Sequence, residues 1–401
     1  EFVPGVSSPI AAPESAGIPV THRDFTPAVT IASGWEAYEK SGMAVQWEHL
    51  ARSAGTIVLL MGMRNARVNA AKLVDAGRHA ETPAAAIRWG TRGIQRTVVG
   101  TLATIADRID EAGLRAPAVL VVGEVVRLRE QLAWLEQRPL FGRRVVVTRA
   151  LEQGGALAAA LAAAGADVAP LPCLAIAPLE DPSAFDGCIA DISSYDGVIV
   201  SSRNGVSALV DALVRVGTDV RSLAGRHVVA IGGATAMALR AVGIVAELVP
   251  EQASSEGVLA ALEQRRWLRA HWLHVRADEG RDVLGPAITA AGGAYTLGIA
   301  YRTTRPSVPP MLLRSLLPSD AGGEGMDAIC FASGKAARHC LMTLTEAWGE
   351  ALARERIAAS KVIALGPVTA AAIAALDLPV HATASSTDDD AIVRAVIDAL
   401  A

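Results

Sequence analysis

Four short stretches combine hydroxyl groups with small residues in a way that suits anion binding: Ser201-Ser202, Gly232 with Thr235, Ser333-Gly334, and Gly366 with Thr369. Each follows an apolar run of strand length and opens a run with helical spacing. A helix that begins at such a turn leaves backbone N–H groups unpaired and carries the positive end of its dipole there, so acidic groups are stabilised. The same residue types also serve as ordinary helix N-caps, which explains any one of these turns taken alone. Around them stand Arg149, Arg203, Arg240, Arg276, Lys335 and Arg338, cations that together suit a ligand with several carboxylates. The region holding them has no Ser-His-Asp order, phosphate loop or metal motif, and Gly232-Gly233-Ala234-Thr235 lacks GxGxxG spacing. The chemistry expected here uses no cofactor and depends on positioning.

Such turns must be presented by α/β units, and the sequence nearly repeats them. Residues 195–206 (YDGVIVSSRNGV) parallel 326–337 (MDAICFASGKAA), and 228–239 (VVAIGGATAMAL) parallel 362–373 (VIALGPVTAAAI). A third pair, 145–152 (VVVTRALE) and 273–280 (LHVRADEG), ends in an Arg-Ala-x-Glu turn and runs into a helix closing at Gly165 or Gly293. Each set also places a Ser-Ser pair, Ser254-Ser255 or Ser385-Ser386, ahead of a further helix. The Arg149 unit precedes both hydroxyl turns, whereas the Arg276 unit closes the middle block. That order predicts a lobe at 178–299 inserted into an outer lobe made of 141–177 and 304–401. The chain then crosses twice, near Leu174-Ala175-Ile176 and near Tyr301, and adjacent crossings predict a hinge with a cleft beside it.

The bulk properties agree with an α/β enzyme. A chain of 401 residues is too long for one core, and two or three domains are expected. Hydrophobic residues make up 51% but aromatics only 4%, which suits Ala-rich helices packed on Val/Ile-rich strands. No run provides the roughly 20 apolar residues of a membrane span, and no basic-then-apolar leader opens the sequence. A cytoplasmic protein without a membrane partner is expected. The net charge of −4 argues against a nucleic-acid partner. Cys173, Cys188, Cys330 and Cys340 share no CxxC spacing and read as buried small side chains in a reducing compartment. His271 and His274 lie three apart in a strand-like run, so they face opposite sides and do not form a metal pair. Ahead of the lobes, residues 3–8 read as a strand end and turn, 56–63 as a strand followed by a helix over 65–76, and 84–88 and 117–123 as short strands. Residues 124–136 (EVVRLREQLAWLE) have helical spacing, and Gln137-Arg138-Pro139 breaks it, predicting a domain boundary near 140.

The ordered set VVVTRA, VIVSSRNGV, AIGGATAMALR, SSEG, RADEGRDVL, YRT, FASGKA and ALGPVTAAAI resembles uroporphyrinogen-III synthase over residues 141–401. The resemblance implies two α/β lobes joined by a double-stranded connection, and closure of linear hydroxymethylbilane to uroporphyrinogen III with inversion of ring D. It implies a spirocyclic intermediate formed after loss of the hydroxyl, with Tyr301 in YRT helping that group leave; a hinge-packing aromatic is the other reading of Tyr301. The front segment, 1–138, resembles the C-terminal half of S-adenosylmethionine-dependent uroporphyrinogen-III C-methyltransferase through VPGVSSPIAAPESAGIPVTHRD, TIVLLMGMRN, IRWGTRGIQRTVVGTL and PAVLVVGEVV. Carried over by position, Ser7, Ser8, Met61 and Gly90 touch the methyl donor, S-adenosyl-L-methionine. Ser15 stands where that family often has Tyr, and Trp35 where it often has His. The sequence lacks that family's N-terminal half, with its Gly-Gly-Asp-Pro loop and catalytic acid, so methyl transfer by this piece is not expected. The methylase family is usually dimeric through its C-terminal region and the synthase family usually monomeric. Coupling the two in one chain directs flux toward siroheme and corrinoids. Two alternatives stand beside this expectation: a non-catalytic two-lobed module for an anionic small molecule, and a chain whose methylase part alone is active.

Overall fold

The strands follow the apolar runs of the sequence. In chain order they are β1 (Val29–Ser33), β2 (Thr56–Leu60), β3 (Pro83–Arg88), β4 (Arg96–Thr101), β5 (Ala118–Val122), β6 (Arg144–Val147), β7 (Asp167–Pro170), β8 (Ala175–Ala177), β9 (Gly197–Val200), β10 (His227–Ala230), β11 (His271–Ala277), β12 (Ala294–Thr304), β13 (Ala328–Phe331), β14 (Lys361–Ala364) and β15 (Ala382–Thr383). The structure is a computed structural model and describes residues 5–35, 45–53, 55–149, 151–280, 282–318, 323–386 and 388–401, without the side chains of 151–154. Residues 3 and 4 of the expected opening turn, and Ala150 and the Glu152 side chain of the first Arg-Ala-x-Glu turn, lie outside this description. The residues group into two units, Glu1–Cys173 with Val308–Ala401, and Leu174–Ser307.

The first unit holds two sheets. The front one has the order β1-β2-β5-β3-β4, with β1 parallel to β2 and the other pairs antiparallel. Its central strands are buried on both faces, which is why they read as unbroken apolar runs. Leu73, Ile105 and Ile109 from the helices Ala66–Asp75 and Ile105–Glu111 pack on one face, and Ala12 of the helix Ser8–Ser15 packs on the other. The helix expected over 124–136 does not form as one piece. Two 3₁₀ turns, Glu124–Leu128 and Leu135–Gln137, flank a single α-helical turn at Arg129–Leu132. Tertiary hydrogen bonds override the local spacing. Arg129 donates to the Ala16 carbonyl at 2.9 Å and to Glu136 at 2.6 Å, while Glu136 also accepts from Gln95, just before β4, and from Thr97 within it.

The second sheet of this unit is wholly parallel, in the order β15-β14-β13-β6-β7. Leu157 and Leu161 of the Ala-rich helix Leu151–Ala163, and Ile392 and Val396 of the helix Asp389–Leu400, cover it. An ion cluster joins the front segment to this sheet. Arg92 donates to both oxygens of Asp167, at 3.0 and 2.9 Å, and to Glu324 at 2.9 Å, and Arg144 pairs with the same two carboxylates.

The second unit holds the sheet β10-β9-β11-β12-β8, parallel except for β8, which runs antiparallel to the end of β12 with Arg302 opposite Ala177 and Thr304 opposite Ala175. The two chain crossings are thus one antiparallel pair. In order and direction, β10-β9-β11-β12 matches β14-β13-β6-β7. The match extends to single atoms: Asp196 before β9 accepts the His271 N–H at 2.7 Å, and Asp327 before β13 accepts the Arg144 N–H at 2.7 Å. One lobe interrupts the chain of the other, as the order of the repeats requires.

Val198 and Val200 of β9 pack with Leu209 and Leu213 of the helix Arg203–Arg215, whereas Ile199 faces Val258, Leu262 and Trp272. Trp272 is fully buried because its ring lies over Gly197, where a Cβ would come within 2.3 Å of it. Burying a side chain of this kind contributes roughly 1.5–3 kcal/mol. The Ser-Ser pairs differ between the lobes. Ser254 caps the helix Ser255–Gln264, but the helix Asp389–Leu400 is capped by Asp388, whose carboxylate accepts the Ala391 N–H at 2.8 Å. An Asp two residues beyond Ser386 is an equally competent cap and sits nearer the helix. No helix among the described residues is long and apolar enough to cross a membrane.

Candidate functional site

All four hydroxyl and glycine turns lie at the carboxyl ends of parallel strands, following β9 and β10 in one lobe and β13 and β14 in the other. They match in detail. Ser202 Oγ accepts the Gly205 N–H at 3.0 Å to cap Arg203–Arg215, and Ser333 Oγ accepts the Ala336 N–H at 3.1 Å to cap Gly334–Trp348. Gly232 and Gly366 are the N-cap residues of Gly233–Ala241 and Pro367–Ala374, with no side-chain acceptor of their own. Their backbone N–H groups therefore have no capping side chain, which keeps the helix starts open to an acidic group. Thr235 and Thr369 take equivalent buried places one turn in.

In the inserted lobe, the ends of β9, β11 and β12 carry two hydrogen-bonded groups on opposite faces of the sheet. On the face of Val198 and Val200, the hydroxyl of Tyr301 lies 2.8 Å from Ser202 Oγ. Tyr301 is 8% exposed, and burial raises its pKa above that of a free phenol. A cavity of about 460 Å³ borders it, lined also by Ile176, Pro178, Asn204 and Asp211. The Tyr301 carbonyl accepts the Asp278 N–H at 3.0 Å, and Asp278 in turn accepts the Thr303 N–H at 3.1 Å. The turn after β11 is thereby fastened to the crossing strand.

On the other face, Ser201 Oγ lies 2.6 Å from His274 Nε2, His274 Nδ1 lies 2.8 Å from the Tyr295 hydroxyl, and Tyr295 donates to Asp282 at 3.1 Å. Burial, reinforced by nearby Arg276, lowers the His274 pKa to about 4. This chain was not foreseen from the sequence. The one signal was the alternation in HWLHV, which puts His274 on the face of Trp272. His271 indeed faces away from His274, bonding to the Ser194 carbonyl and to Thr296.

The expected cations are placed unequally. Arg149 donates to Asp389 at 3.0 Å, and Arg276 folds back on its own turn, donating to the carbonyls of Ala277 and Gly280. Arg203, Arg240 and Arg338 are exposed on the helices that the turns open, and Lys335 is half-buried. Among the described residues no group of His, Cys, Asp and Glu could hold a metal ion. The four cysteines are unpaired thiols, three buried and Cys188 half-buried.

In the front segment, Ser8, Met61 and Gly90 line one cavity of about 890 Å³ together with Trp35, Trp89 and Pro117. Ser7 is the N-cap residue of Ser8–Ser15 and is not among the lining residues. Ser15, the position that departs from the methylase pattern, donates to Gln95 and accepts the Thr91 N–H behind the cavity wall. Met61 and Trp89 hold positive φ at 56° and 52° where β2 and β3 end, backbone strain of the kind that collects at ligand clamps. Gly90 has a packing reason as well, because a Cβ there would lie 2.4 Å from that of Ala12. The volume and apolar walls fit an adenosyl group. Trp89 and Pro117 were missed because their meeting depends on the end of β3 lying beside the start of its antiparallel neighbour β5.

Residues 155–394 match the family model for uroporphyrinogen-III synthase HemD. The chain belongs to the uroporphyrinogen-III synthase family. Residues 1–106 match the model for tetrapyrrole (corrin/porphyrin) methylases. The chain is similar to the porphyrin biosynthesis protein HemD of Ruminiclostridium josui, 35% identical over 251 residues, covering 63% of this chain and 50% of that protein. It is also similar to the S-adenosyl-L-methionine-dependent uroporphyrinogen III methyltransferase of Methanosarcina barkeri, 49% identical over 138 residues, covering 34% of this chain and 53% of that protein. A crystal structure of uroporphyrinogen III synthase from Thermus thermophilus is 19% identical with a TM-score of 0.45, covering 64% of this chain and 98% of that one. The chain spans about half the length of these two sequence relatives.

Proposed function

We propose that residues 141–401 close hydroxymethylbilane to uroporphyrinogen III with inversion of ring D, without a cofactor. The observation that carries this reading is the buried Tyr301 hydroxyl, hydrogen-bonded to the cap of a strand-end helix and bordered by a cavity. The bilane closes on its own to the symmetrical isomer, so the task is geometric: the methylene carbon that carried the hydroxyl must reach the substituted carbon of ring D. Ser202, Gly232 and Thr235 in the inserted lobe, and Ser333, Gly334, Gly366 and Thr369 in the outer lobe, would hold its carboxylates through helix-start N–H groups. Arg149 and Arg276 would contribute positive field from behind those turns. Burial keeps the Tyr301 phenol protonated into alkaline pH, so it can donate to the departing hydroxyl as the C–O bond breaks and water leaves. The substituted carbon of ring D then attacks the methylene carbon left by that loss and forms the spirocyclic intermediate; its bond to the original methylene bridge breaks and re-forms at the free α-carbon of ring D, whose hydrogen is lost as a proton to the Tyr301 phenolate on rearomatisation.

Residues 1–138 form a methylase part in this reading, with Ser8, Met61 and Gly90 lining a site for S-adenosyl-L-methionine, which supplies a transferable methyl group when bound, and Ser7 heading the helix that borders it. The product of the synthase region would be the methyl acceptor. The test for the synthase is to give hydroxymethylbilane to the full chain and measure the isomer ratio after oxidation to porphyrins. Mostly type III is expected; type I alone, at the spontaneous rate, would sink the reading. Calorimetric titration with S-adenosylhomocysteine tests the donor site, where no heat of binding would remove that assignment.

A further inference from the structure

The polarity of the Ser201–His274–Tyr295–Asp282 chain is fixed from its far end. Asp282 Oδ1 also accepts the Gly285 N–H at 3.1 Å, and a carboxylate only accepts, so the single proton of Tyr295 points to it. The Tyr295 oxygen must then accept from His274 Nδ1–H. A neutral imidazole carries one N–H, and His274 is 3% exposed with its charged form disfavoured by burial. Its Nε2 is therefore an acceptor, and the proton on that 2.6 Å contact belongs to Ser201. The backbone N–H of Ser201 is also committed, to the Val275 carbonyl at 3.1 Å. The opposite polarity would set the lone pairs of Tyr295 against those of Asp282.

We infer that Ser201 meets the substrate purely as a hydrogen-bond acceptor, its own proton held inward by His274, and that it takes a pyrrole N–H of the bilane and no carboxylate. The inference rests on the synthase reading above, in which ligands gather at the carboxyl ends of the strands, where half-exposed Ser201 sits. It divides the two adjacent serines by role. Ser202 caps a helix beside Tyr301, and Ser201, on the other face, presents lone pairs. Such an acceptor repels the acidic side chains of the substrate and rewards a ring turned with its nitrogen inward, which is information about ring orientation. His274 acts on Ser201 directly and Tyr295 acts through His274, so both are positioning residues here.

The test combines spectroscopy with kinetics on the full chain. Nitrogen-15 histidine spectra should show His274 as the Nδ1–H tautomer, changing to Nε2–H in Tyr295→Phe, which removes the acceptor. With hydroxymethylbilane, Ser201→Ala should raise KM about 3- to 10-fold, the loss of one neutral hydrogen bond, with kcat nearly kept. Ser201→Thr should restore KM, and Tyr295→Phe should raise it without adding to Ser201→Ala. An Nε2–H tautomer in the unmodified chain, or type III formation with unchanged KM in Ser201→Ala, overturns this assignment alone. Formation of type I only by the unmodified chain overturns the synthase reading and the assignment with it, while the tautomer measurement still reports whether the polarity was deduced correctly.

Discussion

Lowering the pH from 7 to 5 should loosen the inserted lobe through one residue. Burial holds His274 near a pKa of about 4, against 6.5 for an ordinary histidine, with Arg276 pushing the same way and Asp282 opposing. Between those two values the unfolded chain takes up a proton that the folded lobe refuses, so stability falls as pH drops through that window. Over pH 7 to 5 the loss amounts to about 2 kcal/mol, and it approaches about 3 kcal/mol near pH 4. Hydrogen exchange read by mass spectrometry on peptides covering β9 and β11 measures the opening free energy of that sheet directly. The fall should be seen in the unmodified chain and be absent in His274→Gln, which cannot titrate. An equal fall in both proteins, or none in either, would show that His274 is not held neutral by its surroundings and would refute the reasoning.

Tyr301→Phe should slow type III formation several-fold, measured as turnover against the spontaneous background, with the circular dichroism spectrum unchanged. Gly90→Ala pushes Ala12, and with it the helix Ser8–Ser15, away from residue 90 and should cost about 1–3 kcal/mol in urea unfolding, with weaker S-adenosylhomocysteine binding. Arg92→Ala leaves Asp167 and Glu324 with Arg144 as their cation. Because Arg92 is partly exposed, the expected loss is about 1–2 kcal/mol, visible as faster proteolysis around residues 138–143.

Local signals carried the turns and longer-range ones were lost. Ser202 and Ser333 could be paired from the sequence because a strand, a small hydroxyl residue and a helix are written within a dozen residues, and each does cap its helix. The inserted lobe was legible from the order of the Arg149 and Arg276 units alone. The fate of those two arginines was not, since Arg149 meets a carboxylate 240 residues away and Arg276 meets carbonyls whose direction depends on a turn. Likewise His274 meets Tyr295 only because the parallel register sets His274 opposite Leu297, two positions on. The helical spacing of 124–136 was real, but Arg129 reaches the Ala16 carbonyl and Glu136 reaches Gln95 and Thr97, contacts outside the segment that its spacing does not encode.

The antiparallel pairing of β8 with the end of β12 also bears on how the chain reaches its fold. In the outer lobe the central strands β13 and β6 lie side by side although they are 183 residues apart in sequence. Closing a loop of that length is entropically slow and costly. Once Ala175 has met Thr304, the inserted lobe acts as a shortcut, and the remaining open loop is roughly a third as long, easing closure by about 1 kcal/mol. The inserted lobe should therefore acquire exchange protection first in a refolding experiment. Damage to its crossing strands should delay assembly of a sheet to which those strands do not belong.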